Sequence, residues 1–207
     1  LDGANNVAVQ GNWIGLEATG SAAAGNGERG IFAINGSGHQ ITNNVISGNN
    51  YHGILFGNIG NSVIAGNLIG TDASGLADVN GAGFNASGSG ILLLGSSGNL
   101  IGGTSAAARN VISGNNHFGV EIGGGAQNNL VQGNFIGTDI TGANALGNST
   151  AGVGFWGAGT GHGWPRAAVF GVAPAPTAIF TFGVLLMLEG GAPLYLGPVP
   201  VDFILFG

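Results

Sequence analysis

The chain has 207 residues, of which 45 are Gly, and its 3 basic and 9 acidic side chains give a net charge of -6. At about 100–200 residues per domain, this length allows one domain or a modest repeat array. The scarcity of basic side chains argues against nucleic acid as a partner, and the lack of Cys excludes disulfides and Cys-based zinc sites. A composition that is 44% hydrophobic with few charges indicates an ordered chain.

Repeated motifs run through the first three quarters of the chain. The string Asn-Val-Ile-Ser-Gly-Asn-Asn occupies 44–50 and 110–116, and Gly-Asn-x-Ile-Gly occupies 11–15, 66–70, 98–102 and 133–137. Gly followed by Ile or Val opens further apolar segments at positions 30, 53, 90, 119 and 152. The gaps between these openings are 23, 37, 29 and 33 residues. They indicate a basic unit of about 23 residues with insertions of variable length.

Each unit is predicted to form short strands. Segments such as 53–56 and 119–122 place apolar residues at alternate positions, which is the two-residue period of a strand. One unit has too few apolar side chains for a core, so successive units must stack as coils of an all-β, parallel β-solenoid. Six recurring positions are predicted to face its common interior: Ile46, Ile54, Ile69, Ile112, Val120 and Ile136.

The motifs resemble those of right-handed parallel β-helix repeat proteins of bacterial surfaces and secretions. The residues that carry the resemblance are 44–50, the segment Gly-Asn-Phe-Ile-Gly-Thr-Asp at 133–139, and Ile101-Gly-Gly-Thr with Arg109-Asn110. This superfamily includes pectate lyase-like enzymes, and the resemblance covers roughly residues 5–153. It implies a right-handed parallel β-helix of about five to six coils, but the fold hosts lyases, hydrolases and adhesins, so it says little about activity.

The composition changes after residue 153. Every Asn lies before position 151 and every Pro lies after position 164, and Pro cannot donate to the ladder of an inner strand. We therefore predict a repeat segment at 1–153 and a non-repeat tail at 154–207, with no coil continuing beyond about Phe155. The tail is interpreted as an irregular cap, as a membrane segment within the uncharged stretch 167–188, or as non-native, frameshifted sequence.

Three acidic residues share one position of the repeat: Glu17, Asp72 and Asp139. In Asp72–Gly75 and Asp139–Gly142 the Asp comes first and the Gly fourth, as a type I turn prefers. We expect turn residues here. The alternative is that Asp72 and Asp139 are catalytic, or that all three bind calcium, which is the only cofactor the sequence suggests. The Arg residues do not share a repeat position with one another, which disfavours a lyase base.

Aromatic and His residues supply the candidate ligand contacts. Tyr51 aligns with His117, and His52 aligns with Phe118. Each of the two coils therefore places one aromatic ring and one imidazole at the same corner. A second row comprises Trp13, Leu68 and Phe135, the variable residues of Gly-Asn-x-Ile-Gly, which are predicted to point outward; Trp13 and Phe135 are its aromatic members. Aromatic faces suit the apolar face of a pyranose. The alternatives are exposed turn residues at the corner and a loop packed over the row.

These observations predict a non-catalytic structural or adhesive segment that contacts polysaccharide or cell-surface glycans. The rival prediction is a polysaccharide lyase or a glycoside hydrolase. Because the chain begins at Leu1 and shows no signal peptide, we expect a fragment of a larger secreted or cell-surface protein. A membrane contact is expected only through the tail. The sequence leaves the ligand and the oligomeric state open.

Overall fold

The computed structural model describes residues 1–79 and 88–157. It also describes the backbone of three later strands, Ala167–Phe170, Val184–Met187 and Pro193–Leu196. The chain divides into two compact units, Leu1–Val172 and Ala173–Gly207.

The first unit consists of three parallel sheets, and each turn of the chain contributes one strand to each sheet in the same order. Sheet 1 contains β1 (Ala8–Gln10), β4 (Gln40–Thr42), β7 (Val63–Ala65), β10 (Leu100–Gly102), β13 (Asn129–Gln132) and β16 (Ala167–Phe170). Sheet 2 contains β2 (Trp13–Ile14), β5 (Val45–Ile46), β8 (Leu68–Ile69), β11 (Val111–Ile112) and β14 (Phe135–Ile136). Sheet 3 contains β3 (Ile31–Ser37), β6 (Ile54–Gly60), β9 (Ile91–Leu94), β12 (Phe118–Gly123) and β15 (Ala151–Phe155).

Neighbouring strands of each sheet come from successive coils, which is the topology of a parallel β-helix. In sheet 2, for example, Ile14 pairs with Ile46, and Ile46 pairs with Ile69. The right-handed parallel β-helix of about five coils is thereby confirmed. Between β10 and β11 the chain forms a short 3-10 helix, Ala106–Ala108, which belongs to one of the insertions.

The core is a continuous column of aliphatic side chains between the three sheets. Ile46, Ile54, Ile69, Ile112 and Val120 are fully buried in it, and Ile136 packs against it as a partly buried residue. The prediction of a common interior is confirmed for all six positions. Phe56 is the largest side chain that is fully buried in this core.

The Gly-Asn-x-Ile-Gly motif describes one corner of a coil and the strand that follows it. Gly66 turns the chain with φ 70°, Asn67 is buried, Leu68 points outward, Ile69 enters the core, and Gly70 turns the chain again with φ 95°. A residue with a side chain would be strained at either glycine. The copy at 98–102 lies in sheet 1 instead of sheet 2, so the motif specifies a type of corner and not one position on the coil.

Asn side chains form a ladder through all five coils at the start of sheet 2, and the three inner members, Asn44, Asn67 and Asn110, are buried. In each step the backbone N–H and side-chain Nδ2 of one Asn donate to Oδ1 of the next, at 2.8–3.1 Å. The members of this ladder are Asn12, Asn44, Asn67, Asn110 and Asn134. The ladder satisfies polar groups that the coil corners would otherwise bury without partners.

The segment after residue 153 only partly follows the sequence prediction. Strand β15 extends to Phe155, and the backbone of β16 pairs in parallel with β13, which adds a sixth strand to sheet 1. One strand, Ala167–Phe170, thus joins sheet 1 after Phe155, because backbone pairing does not require the repeat motif. The rest of such a coil would fall outside the described residues, so the predicted end of the coils near Phe155 stays a prediction.

In the second unit, the described residues form an antiparallel pair, β17 (Val184–Met187) with β18 (Pro193–Leu196). No helix in the described ranges is long and apolar enough to cross a membrane. Most of the predicted tail at 154–207 lies outside the described residues, as do most of the residues on which its three interpretations depend.

Candidate functional site

The three repeated acids each open a loop with the same backbone hydrogen bond. The N–H of Gly20 donates to the carbonyl of Glu17 at 2.9 Å, and the same bond joins Gly75 to Asp72 and Gly142 to Asp139, both at 3.0 Å. Each loop returns to the coil through an antiparallel bridge. The turn that was expected at these residues is therefore present in all three loops.

The carboxylates of Asp72 and Asp139 accept hydrogen bonds from their own loops. Burial raises the pKa of Asp72, but hydrogen bonds from the Ser74 hydroxyl and from backbone N–H groups outweigh it, so this pKa lies below its usual value. Hydrogen bonds from the side chains of Thr141 and Asn144 lower the pKa of Asp139 to about 2. Both side chains remain ionised and are held inside their turns, which is the wrong state for a general acid at neutral pH.

The three loops stack on one another through backbone hydrogen bonds. Ala73 N donates to Gly20 O, and Ile140 N donates to Gly75 O, both at 2.9 Å. Glu17 accepts from the hydroxyls of Thr19 and Ser21 in its own loop. Among the described residues no three Asp, Glu or His side chains form a group that could hold a metal ion.

The predicted outward row runs along sheet 2 and is largely covered. In register it reads Trp13, Val45, Leu68, Val111 and Phe135. Trp13 is half exposed, whereas Phe135 is buried beneath the Arg109 guanidinium, which lies 4.1 Å from the ring centroid. Little of the Phe135 ring faces solvent, so Phe135 offers a ligand much less surface than Trp13 does.

The second candidate corner contains two ring pairs. Tyr51 and His52 meet edge to face with ring centroids 4.1 Å apart, and His117 and Phe118 do so at 4.2 Å. The hydrogen-bond register places Ser89 between His52 and Phe118. The predicted alignment of the two pairs is present, but one whole coil separates them.

His52 faces the protein and not the solvent. Only 4% of the residue is exposed, and its Nδ1 accepts a hydrogen bond from Ser89 N at 3.1 Å. Burial lowers the pKa of His52 to about 4, although the nearby Glu121 carboxylate opposes this shift. His52 thus offers a ligand almost no surface, while Tyr51, His117 and Phe118 keep part of their surface exposed.

The separating coil leaves a small gap beside Tyr51. Gly88 lies against the Tyr51 backbone, where even a Cβ atom would come within 2.6 Å of the Tyr51 carbonyl oxygen. A cavity of about 10 Å³ opens here, lined in part by Tyr51, Gly88 and Asn116. This volume suits about one water molecule and is too small for a sugar.

The most chemically distinct group at this end of sheet 3 is Glu121, which was not among the predicted site residues. Its Oε2 accepts from the Ser89 hydroxyl, and its Oε1 accepts from Trp156 Nε1 at 2.9 Å. His117 Nδ1 lies 3.6 Å from Oε2. The sequence signal was an acid at the outward position of a predicted strand, in the segment 119–122, but its neighbours become visible only from the register.

These features define a parallel β-helix whose repeated acids are held in turns and whose Glu121 carboxylate lies among aromatic rings on one sheet. Comparisons of the chain with family models, with curated proteins and with solved structures found no match. The class of protein therefore rests on the strand pairing and on the sequence motifs.

Proposed function

We propose that the chain is a non-catalytic structural or adhesive β-helix segment of a larger bacterial secreted or cell-surface protein, and that it contacts carbohydrate. The observation that carries the non-catalytic part is the state of the repeated acids. Asp72 and Asp139 are ionised and each is bonded to donors of its own loop. A glycosidase needs two acids that face one substrate, one of them with a raised pKa.

Carbohydrate contact is supported by aromatic surface on the outside of the sheets. Trp13, Phe32 and Trp156 are 50%, 44% and 39% exposed, respectively. Exposed rings on a rigid sheet are costly in water unless they meet a partner, and a pyranose face is a suitable partner for such a ring. Polysaccharide and cell-surface glycans are therefore the proposed partners.

Membership of the pectate lyase-like superfamily is a further part of the proposal, supported by the repeat motifs and the coil topology. The main alternative function is that of an enzyme of this superfamily, either a polysaccharide lyase or a glycoside hydrolase. Calcium would then be expected as its cofactor, because an acidic sugar must be neutralised before its proton is abstracted.

The two functions are separated by testing binding and turnover on the same glycans. The full chain should bind members of a glycan array and should release neither reducing sugar nor 4,5-unsaturated products, with or without calcium. A variant with Trp156→Leu should bind more weakly than a control with Leu76→Ala, which removes an exposed aliphatic side chain on a different face of the coil. If the chain degraded any glycan and this activity were lost in Asp72→Asn or Asp139→Asn, the alternative enzyme function would replace the proposal.

A further inference from the structure

We infer that Glu121 and Trp156 form a contact site for neutral sugars and that the site discriminates against sugars bearing a carboxylate. The inference rests on the proposed carbohydrate contact and specifies its ligand class. It depends on four observations: the row in which Glu121 lies, the rings beside it, the charge around it and the donors bound to it.

Glu121 interrupts an apolar row on the outer face of sheet 3. In register, Phe32 pairs with Leu55, Leu55 with Leu92, Leu92 with Glu121, and Glu121 with Gly154. Glu121 is only 9% exposed. Leu55 and Leu92, which precede Glu121 in this row, are buried and apolar, and burying a carboxylate costs solvation free energy.

Two aromatic rings near this carboxylate occupy the space that a side chain would take at two glycine positions of the strands. The indole of Trp156 covers Gly123, where an added Cβ would come within 2.2 Å of ring carbon Cε2. The ring of Phe118 covers Gly154 in the same way, at 2.6 Å. Both rings thus pack closely against the glycine backbone, and 39% of Trp156 remains exposed.

In the part of the chain that the structure describes, no Arg side chain forms an ion pair with the Glu121 carboxylate. Within residues 1–79 and 88–157, the one ion-pair partner of Glu121 is His117, at 3.6 Å, which is charged only when protonated. Arg29 instead pairs with Glu28, and Arg109 stacks on Phe135. A uronic acid at this surface would place a second carboxylate beside Glu121 in a poorly solvated position, where like charges repel strongly.

The donors bound to Glu121 leave it able to accept more hydrogen bonds. Ser89 and Trp156 each donate one bond, whereas a carboxylate has about four acceptor positions. The hydroxyl groups of a neutral pyranose are donors that suit the remaining positions, while its apolar face suits the exposed indole. The indole N–H bond to Oε1 fixes the ring and the carboxylate relative to each other, so the two contacts are preorganised for one sugar.

The test is isothermal titration calorimetry of the full chain at pH 7.5 with EDTA, which removes divalent cations that could bridge two carboxylates. The probes are neutral cello-, xylo- and manno-oligosaccharides and oligogalacturonates of equal length. We expect at least one neutral series to bind about tenfold or more tightly than the oligogalacturonates. Glu121→Gln should weaken neutral binding about tenfold, because a hydrogen bond to a charged acceptor is about twice as strong as a neutral one, and it should strengthen oligogalacturonate binding.

Glu28→Gln is the matched control, because it makes the same change in net charge at an exposed carboxylate already paired with Arg29. It should leave both affinities unchanged, and circular dichroism should show that both variants fold. Equal effects of the two substitutions, or oligogalacturonates binding wild type as tightly as neutral sugars, would overturn the inference while leaving carbohydrate contact intact. Binding of neither class would overturn the inference, and together with no binding on the glycan array it would overturn the proposed function as well.

Discussion

Asn performs two separate tasks in this protein, and different residues perform them. Asn6, Asn35, Asn43, Asn58, Asn61 and Asn128 adopt positive φ at corners, where Asn is tolerated better than most side chains. The ladder residues, such as Asn44 and Asn67, are buried and bond to the coils before and after them. The stability lost when an Asn is replaced therefore depends on which of the two tasks that Asn performs.

Replacing a ladder residue should be much more costly than replacing an exposed Asn. In Asn67→Ala, the backbone N–H of Asn44 and the carbonyl of Ile41 lose their bonds to the side chain. Unpaired buried groups each cost about 1–3 kcal/mol, so we expect a loss of about 3 kcal/mol in the free energy of unfolding. Urea denaturation would measure this loss, with exposed Asn50→Ala as the control. Equal midpoints would show that the ladder contributes no stability.

The buried imidazole of His52 should make the protein less stable in mild acid. Burial lowers its folded-state pKa to about 4, against 6.5 in the unfolded chain. Between these values the unfolded state binds more protons, so stability falls as the pH falls, by about 2 kcal/mol at pH 5.

The matched variant for this pH effect is His52→Asn, whose Oδ1 can accept the Ser89 N–H that His52 Nδ1 accepts. Denaturation midpoints at pH 7.5 and pH 5 should differ less in this variant than in wild type. A residual difference is expected from His39, because burial lowers its pKa too. An unchanged pH dependence would assign the acid sensitivity to other groups.

At the scale of elements, a column of glycines determines how closely the coils stack at the start of sheet 3. A Cβ atom at Gly30, Gly53, Gly90 or Gly119 would come within 2.7 Å of the carbonyl oxygen of the next glycine in the column. These are the Gly-Ile and Gly-Val openings seen in the sequence. Glycine is needed at these positions because the backbones of successive coils approach closely there. The atom that an added Cβ would meet is a main-chain oxygen of the next coil.

Gly90→Ala should therefore destabilise the β-helix. Its Cβ would lie 2.7 Å from Gly119 O and 2.8 Å from Ile112 Cγ2, and overpacking of this kind costs about 1–3 kcal/mol. Gly27→Ala is the control, since nothing lies within 4 Å of the added Cβ there. Thermal unfolding followed by circular dichroism would compare them, and equal melting temperatures would show that the column can spread at no cost.

At the scale of the whole molecule, the repeat coils form a unit that extends beyond the sequence repeat. The first unit ends at Val172, after β15 and β16 have paired with the preceding coil. A sequence-based boundary at residue 153 would cut through β15.

A chain that ends at Val172 should keep the fold of the first unit, because it retains every strand of the three parallel sheets. We expect an unchanged β-type circular dichroism spectrum and a cooperative thermal transition within a few degrees of the full chain. A chain that ends at Gly152 should melt at a lower temperature, since it loses the pairing of β12 with β15. Loss of cooperative unfolding in the longer truncation would show that residues 173–207 are needed for folding.

The sequence alone was sufficient for the coil fold, its interior and its turns. Positions such as Ile54 and Val120 recur with the same flanking Gly, and a stacked core is the only way for short apolar segments to be buried. The Asp-x-x-Gly segments likewise predicted their turns, because turn preferences act over four neighbouring residues. Local periodicity and local hydrogen bonding carry this information.

Only the tertiary structure revealed the environment of Glu121 and the burial of His52 and Phe135. Ser89, His117 and Trp156 meet Glu121 across three coils, and insertions of different lengths separate them in the chain. His52 and Phe135 are buried by residues from other coils, such as Ser89 and Arg109. Contacts between coils depend on which residues the insertions bring into register, and no local pattern in the sequence encodes that register.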